Sequence, residues 1–161
     1  MGRSERHNDL VPRPVTAEDL LRFVFVGDPR LSPDGRHVLY GRKTITEKNA
    51  YLSHLHLVDV VTGEDRQLTR GEKSCSSGRF RPDGGALFFL TARKDDRDQL
   101  HVLPLEGGGE AEALTDLPEG SFGAFLPSPD GTKIVFAFRE TVAEHTKAWK
   151  KEHEHASEQP W

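Results

Sequence analysis

The sequence predicts an all-β protein: a partial β-propeller of about two and a half four-stranded blades, preceded by a short helix and followed by a charged tail. Three observations predict it. A turn phrase recurs as Ser32-Pro33-Asp34-Gly35, Arg81-Pro82-Asp83-Gly84 and Ser128-Pro129-Asp130-Gly131, its prolines 49 and 47 residues apart. An apolar run follows each turn: His37-Val38-Leu39-Tyr40, Ala86 to Leu90, and Lys133-Ile134-Val135-Phe136. A second phrase then repeats, Leu55-His56-Leu57-Val58-Asp59-Val60 against Leu100-His101-Val102-Leu103-Pro104-Leu105. A fixed period of this size marks stacked units, because one unit alone cannot bury its apolar faces.

Taken in order, the chain opens with a polar arm carrying Pro12 and Pro14. Thr16-Ala17-Glu18-Asp19 then has the form of a helix start: a hydroxyl to cap free N–H groups and two acids for the positive end of the helix dipole. Leu20, Leu21, Phe23 and Val24 supply an apolar face, and Gly27-Asp28-Pro29 is expected to end the helix. The predicted helix therefore covers about 16–26, inside an N-terminal region of residues 1–30.

Residues 31–138 form the predicted propeller portion. In each turn proline presets φ, Ser or Arg opens the turn, and glycine accepts positive φ at the exit. The nearly continuous apolar runs at Leu87–Leu90 and Ile134–Phe138 suit strands buried on both faces, so the sheets should stack face to face. The second hairpin of the first unit turns at Thr62-Gly63 and resumes at Arg66-Gln67-Leu68-Thr69. That of the second turns at Gly107-Gly108-Gly109 and resumes at Glu112-Ala113-Leu114-Thr115. Pro104 stands where Asp59 stands, which places it near a strand edge or end. The third unit starts near Ser121 and stops after Phe138. Residues 139–161 are dense in Glu, Lys and His and read as a solvated, helical or disordered tail.

Bulk composition narrows the function. The chain has 161 residues, 30% charged and 35% hydrophobic, with a net charge of −4. A nucleic-acid partner would call for a basic excess. The lone cysteine, Cys75, excludes an internal disulfide. The start Met1-Gly2-Arg3-Ser4-Glu5-Arg6 has no apolar h-region, and no run reaches the roughly 18 residues of a membrane helix. A soluble cytoplasmic protein, with neither membrane nor nucleic-acid partner, is the expectation.

Several residue groups invite a chemical reading, and each has a plainer one. His145, His153 and His155 lie among Glu144, Glu152 and Glu154, but lack the H-E-x-x-H spacing that puts two ligands on one helical face. His54 and His56 share a strand face and His101 aligns with His56; edge-facing blade positions are expected for them. Cys75 in Ser74-Cys75-Ser76-Ser77 reads as inert without a base beside it. The triple glycine leads into a strand, so it reads as a hairpin turn and not a phosphate cradle. Lys94-Asp95-Asp96-Arg97-Asp98 lacks the glycine and distal glutamate of a calcium loop. Phe88, Phe89, Phe136 and Phe138 read as core. No catalytic, cofactor-binding or metal-binding residue is assigned, and no cofactor is expected.

The stretch from Asp9 to Leu21, Gly27-Asp28-Pro29 with the first Ser-Pro-Asp-Gly turn, Gly71-Glu72-Lys73-Ser74, and Leu114 to Gly120 together resemble the front end of prolyl oligopeptidase-family serine peptidases, of the acylaminoacyl-peptidase-like branch. Phe80-Arg81 stands where that family commonly has Trp-Ser. The resemblance implies a propeller that caps a C-terminal α/β-hydrolase domain and limits access to its serine, sparing folded proteins. No G-x-S-x-G elbow occurs here, so the strained turn that presents such a serine has no place in this chain. The expected role is that of a non-catalytic propeller portion at the front of a longer peptidase. Its partners would be the hydrolase domain, peptides passing through a completed channel and, through open blade edges, copies of itself. The alternative is a TolB-like or WD-repeat-like interaction scaffold that completes its ring by self-association.

Overall fold

The computed structural model describes residues 14–153. Two four-stranded antiparallel sheets and one two-stranded sheet follow one another along the chain. Blade I is β1 (Val24–Leu31), β2 (His37–Ile45), β3 (Tyr51–Asp59) and β4 (Asp65–Gln67). Blade II is β5 (Cys75–Phe80), β6 (Ala86–Thr91), β7 (Gln99–Pro104) and β8 (Glu112–Ala113). Blade III has β9 (Gly120–Pro127) and β10 (Ile134–Glu140). Strand order within each sheet is sequence order, so every blade is a simple meander. This is a partial β-propeller.

The repeated turns fold as their residues dictate. The exit glycine donates its N–H to the residue before the proline in all three, Gly35 to Ser32, Gly84 to Arg81 and Gly131 to Ser128, at 2.8–2.9 Å. Those glycines have φ of 71°, 77° and 70°, where a Cβ would crowd the backbone. In the first turn Ser32 Oγ donates to Asp34 (2.6 Å) and accepts from His37 N–H (2.9 Å). Ser128 repeats the arrangement with Asp130 and Lys133 N–H. Arg81 substitutes an ionic version, its Nε 2.7 Å from Asp83 Oδ1. The Leu-Thr repeat also has a structural use. Thr69 Oγ1 accepts from Leu55 N–H and Thr115 Oγ1 from Leu100 N–H, at 2.9 and 3.0 Å. A hydroxyl thus satisfies a strand N–H beyond the end of the short fourth strand.

The N-terminal helix is shorter than expected. It is a 3-10 helix, Ala17–Arg22, with Asp19 accepting the Thr16 N–H at 2.9 Å. Strand β1 then takes Val24–Leu31, so sheet structure begins ahead of residue 31. Val24, Phe25 and Val26 pair with Thr44, Lys43 and Arg42 of β2. A sheet that offers a free ladder edge outweighs the weak helix preference of this Val-rich stretch. Gly27-Asp28-Pro29 does not end a helix. It forms a bulge in β1, with Asp28 at φ 49° and the register shifting before Arg30. Pro29 lies in the unpaired part of the bulge, on an edge strand, where its missing N–H costs nothing.

Blade position decides burial. Every residue of β6, Ala86–Thr91, is buried, as its continuous apolar run predicts. One side of blade II meets blade I in a cluster of Leu39, Leu55, Leu57, Cys75, Leu87 and Phe89. Its other side meets blade III through Phe88, Leu90, Leu100 and Phe125. Strands β2 and β10 carry the same apolar pattern but are mostly half-buried or exposed. Phe136, expected in the core, is correspondingly 38% exposed. The physical reason is simple: blades I and III each have a neighbour on one side only among the described residues.

Gly78 on β5 comes close to blade I. A Cβ there would sit 2.7 Å from Leu39 Cδ2 and 3.2 Å from both Leu55 methyls. Gly78→Val is expected to force the two sheets apart, at about 1–3 kcal/mol. Urea denaturation followed by circular dichroism measures it, and an unchanged midpoint would contradict this packing.

Candidate functional site: the inner strands and the blade faces

The first strands of the three blades converge on one side of the molecule. Each is bulged, opposite Tyr40 in blade I, Phe89 in blade II and Ala137 in blade III. Bulges bend a strand and re-aim its side chains. Arg79, just past the bulge of β5, exploits this. Its Nη1 donates to Asp28 Oδ2 on β1 at 2.8 Å and to Gly78 O at 2.7 Å. Its guanidinium lies 6.0 Å from the ring centre of Phe125 on β9. Arg30 pairs with the same Asp28 carboxylate at 2.5 Å. One arginine therefore touches the first strand of every blade. Beside it, a cleft of about 290 Å³ opens between β1, β2 and β5, lined by Phe25, Gly41, Lys43, Ser53, Ser76 and Gly78.

The histidines are not edge-facing, contrary to the sequence expectation. His56 and His101 are 6% and 5% exposed. Each lies on the third strand of its blade and stacks on the aromatic residue seven positions after the turn proline. Tyr40 and His56 are 5.5 Å apart at 31°, Phe89 and His101 5.7 Å apart at 32°. Third strands are interior to the sheet, so their side chains meet a blade face and not a rim. His101 and Phe89 are covered by blade I. His56 is covered by Tyr40 and Asp65, with Nδ1 3.3 Å from Asp65 Oδ1.

Burial holds the His54 and His101 side chains below the ordinary histidine pKa, because desolvation penalises the imidazolium. Arg93 adds a smaller push in the same direction at both, and a backbone hydrogen bond opposes it. The unfolded chain then binds more protons than the folded one as pH falls through about 6.5. Stability is expected to be full above that pH and to decline below it, towards the lowered folded values. Denaturation midpoints across pH 5 to 8 check this, with His101→Gln expected to flatten the slope.

The remaining candidates fall into structural roles. Cys75 is fully buried within the blade I–II cluster, its Sγ 3.8 Å from the Lys73 carbonyl oxygen. Gly107 and Gly108 make the β7–β8 turn with φ of 77° and 69°. Residues 94–98 connect β6 to β7, with Asp95 and Asp96 at positive φ and Arg97 bridging Asp95 and Asp116. Lys147, at the start of helix α1 (Lys147–His153), ties the charged tail to this loop through Asp96 O (2.9 Å). His153 stacks on Trp149, ring centres 4.1 Å apart. Glu154 and His155 lie outside the described residues. Among the described residues no group of three or more His, Cys, Asp or Glu side chains could hold a metal ion, and no helix is long and apolar enough to cross a membrane.

An uncharacterized peptidase, YuxL, of Bacillus subtilis is 38% identical over 122 residues, 75% of this chain. The acylaminoacyl peptidase of Pyrococcus horikoshii superposes over 73% of the chain with a TM-score of 0.61 and 18% identity, covering 18% of that structure. The chain matches the propeller portion of prolyl oligopeptidase-family peptidases. It spans 18% of the length of the Bacillus relative, so the match concerns a portion of such a protein. The β-propeller domain of the Trilobed protease of Pyrococcus furiosus has the same fold, with a TM-score of 0.57 and 18% identity over 71% of this chain and 34% of that one. A TolB of Acinetobacter baumannii shares it too, at a TM-score of 0.50 and 15% identity over 74% of this chain and 39% of that one. No protein-family model matches the chain.

Proposed function

We propose that this chain acts as the gating propeller portion of a prolyl oligopeptidase-family peptidase of the acylaminoacyl-peptidase-like branch, contributing scaffold and access control but no catalytic group. The observation that carries this is the sequence likeness to a peptidase across three quarters of the chain. An exposed apolar patch supports a docking role for the N-terminal end. Phe23 and Phe25 meet edge to face, as do Phe25 and Tyr51, beside exposed Leu20 and Leu21. A patch of this kind marks an interaction surface, and the α/β-hydrolase domain is its proposed partner. A cytoplasmic setting suits a chain whose one thiol is buried and structural.

The reading is tested by assaying the purified chain on aminoacyl and N-acylaminoacyl chromogenic substrates. No turnover above buffer is expected. Turnover abolished by a serine-directed inhibitor would overturn the non-catalytic assignment. The docking surface is tested separately, by adding the isolated hydrolase portion of a related peptidase. Phe25→Asp should weaken capture of that portion at least tenfold, and equal capture by both chains would remove the patch from the proposal.

A further inference from the structure

A cleft of about 650 Å³ opens between blades I and II at their outer strands. Residues 66–70 form one wall, Leu103 and the β7–β8 turn the other, and Arg93, just past β6, joins them. Every lining residue belongs to blade I, to blade II or to a loop that joins their strands, so two complete neighbours form the cleft. Three arginines line it, Arg66, Arg70 and Arg93, with one carboxylate, Glu110. Arg66 pairs with Leu57 across the ladder, so it shares the face that carries Leu57 into the cluster with blade II. Arg93 is anchored by Nη2, which donates to the Arg70 carbonyl oxygen at 2.8 Å, with Cys75 Sγ 3.8 Å away.

These charges are not neutralised within the protein. Arginine ion pairs among the described residues use Arg22, Arg30, Arg79, Arg81 and Arg97, and none uses Arg66, Arg70 or Arg93. Arg66 also borders a neighbouring cleft with Asp34, Asp83 and Glu106, none of which reaches ion-pair distance. The Arg93 anchor is a neutral carbonyl, which leaves its charge in place. Beyond the effect of burial, that charge also disfavours the imidazolium of His54 and His101. Three cations against one carboxylate leave an excess of two positive charges, in a chain of net charge −4. An anion relieves such repulsion, more effectively between protein walls than in open water. The cleft also has an apolar side. Leu68, Leu103 and Ala111 are partly buried against the blade I–II cluster and line the cleft with the surface they keep.

We propose that this cleft binds a small phosphate monoester with an apolar body, the phosphoryl group on Arg66, Arg70 and Arg93 and the body on Leu68, Leu103 and Ala111. A phosphate monoester carries about −1.5 to −2 at neutral pH, which matches the excess charge better than the single charge of a carboxylate. Its three acceptor oxygens suit guanidinium groups, whose planar forks bond two oxygens at once. The cleft is roomier than a bare phosphate needs, which leaves space for the organic part. The site goes beyond the peptidase reading and does not rest on it.

Titration of the full chain with phenyl phosphate at low ionic strength, followed by amide chemical shifts, tests the proposal. Saturable binding with a Kd of about 1 mM or tighter is expected, its shifts concentrated at residues 66–70, Arg93 and 109–111. Benzoate, with the same ring and one charge, should bind at least about tenfold more weakly. Arg66→Gln and Arg70→Gln change exposed side chains and keep the Arg70 carbonyl that anchors Arg93. Each should weaken phenyl phosphate about tenfold, the loss of a hydrogen bond to a charged group. Arg42→Gln, at an exposed position on β2 outside the cleft, makes the same change in net charge and should leave affinity unaltered. Far-UV circular dichroism verifies that all three variants fold. Absence of saturation, equal affinity for benzoate, unchanged affinity in either cleft variant, or an equal loss in Arg42→Gln would each overturn the proposal.

Discussion

Phe89→Ala is expected to lower the unfolding free energy by about 3–5 kcal/mol. Phe89 is fully buried in the cluster that joins blades I and II, and its ring stacks on His101. Truncation removes buried apolar area and leaves a cavity at the seam, which β6 cannot collapse to fill because both its faces are packed. The molecule supplies an internal control. Phe136 occupies the same repeat position in blade III but is 38% exposed. Phe136→Ala is expected to cost about 1 kcal/mol, since less area leaves water and solvent fills the gap. Urea denaturation of both variants measures the contrast. Equal shifts would contradict the account in which blade II is stabilised from two sides and blade III from one.

Gln99→Leu is expected to cost about 3 kcal/mol or more, despite replacing a polar residue by an apolar one of similar size in a buried site. The Gln99 amide is fully buried and serves three groups. Its Nε2 donates to Leu117 O at 2.9 Å, and its Oε1 accepts from Thr115 Oγ1 at 2.7 Å and Leu117 N–H at 2.9 Å. Leucine would remove all three bonds, taking the acceptor from the Leu117 N–H and the Thr115 hydroxyl hydrogen, while Leu117 O keeps Arg97 Nη1 at 3.1 Å. Loss of the three bonds would also release the segment that leads from β8 into blade III. Faster hydrogen exchange at the Leu117 amide is therefore expected alongside the lowered stability. A change below about 0.5 kcal/mol, in the range of ordinary surface substitutions, would show that water reaches the site.

The blades were legible because their signals are local. Pro-Asp-Gly turns, apolar runs and the Leu-Thr phrase each act within a few residues, and Pro104 ends β7 where its missing N–H predicts. The helix expected at 16–26 stops at Arg22 because Val24–Val26 is decided by pairing with β2, a partner many residues away. The histidines are buried and not edge-facing for a related reason. Alternation tells which residues share a face, not whether a neighbouring sheet covers it. His56 and His101 read alike in sequence, yet His101 is covered by another blade and His56 by Tyr40 and Asp65. Gln99 gave no signal at all, since a lone glutamine opening a strand looks like a solvated residue until the chain returns at Leu117.

The linear order of residues by itself determined that this protein is built of repeated β-meanders, where each turns, and which peptidase family its phrases resemble. Only the tertiary structure decided which of those equivalent residues are core. Leu39, Phe88 and Val135 hold one repeat position, and their exposure runs from 1% to 71%. The physical reason is that a turn is stabilised by bonds within itself, whereas burial is a property of the pair of sheets that meet.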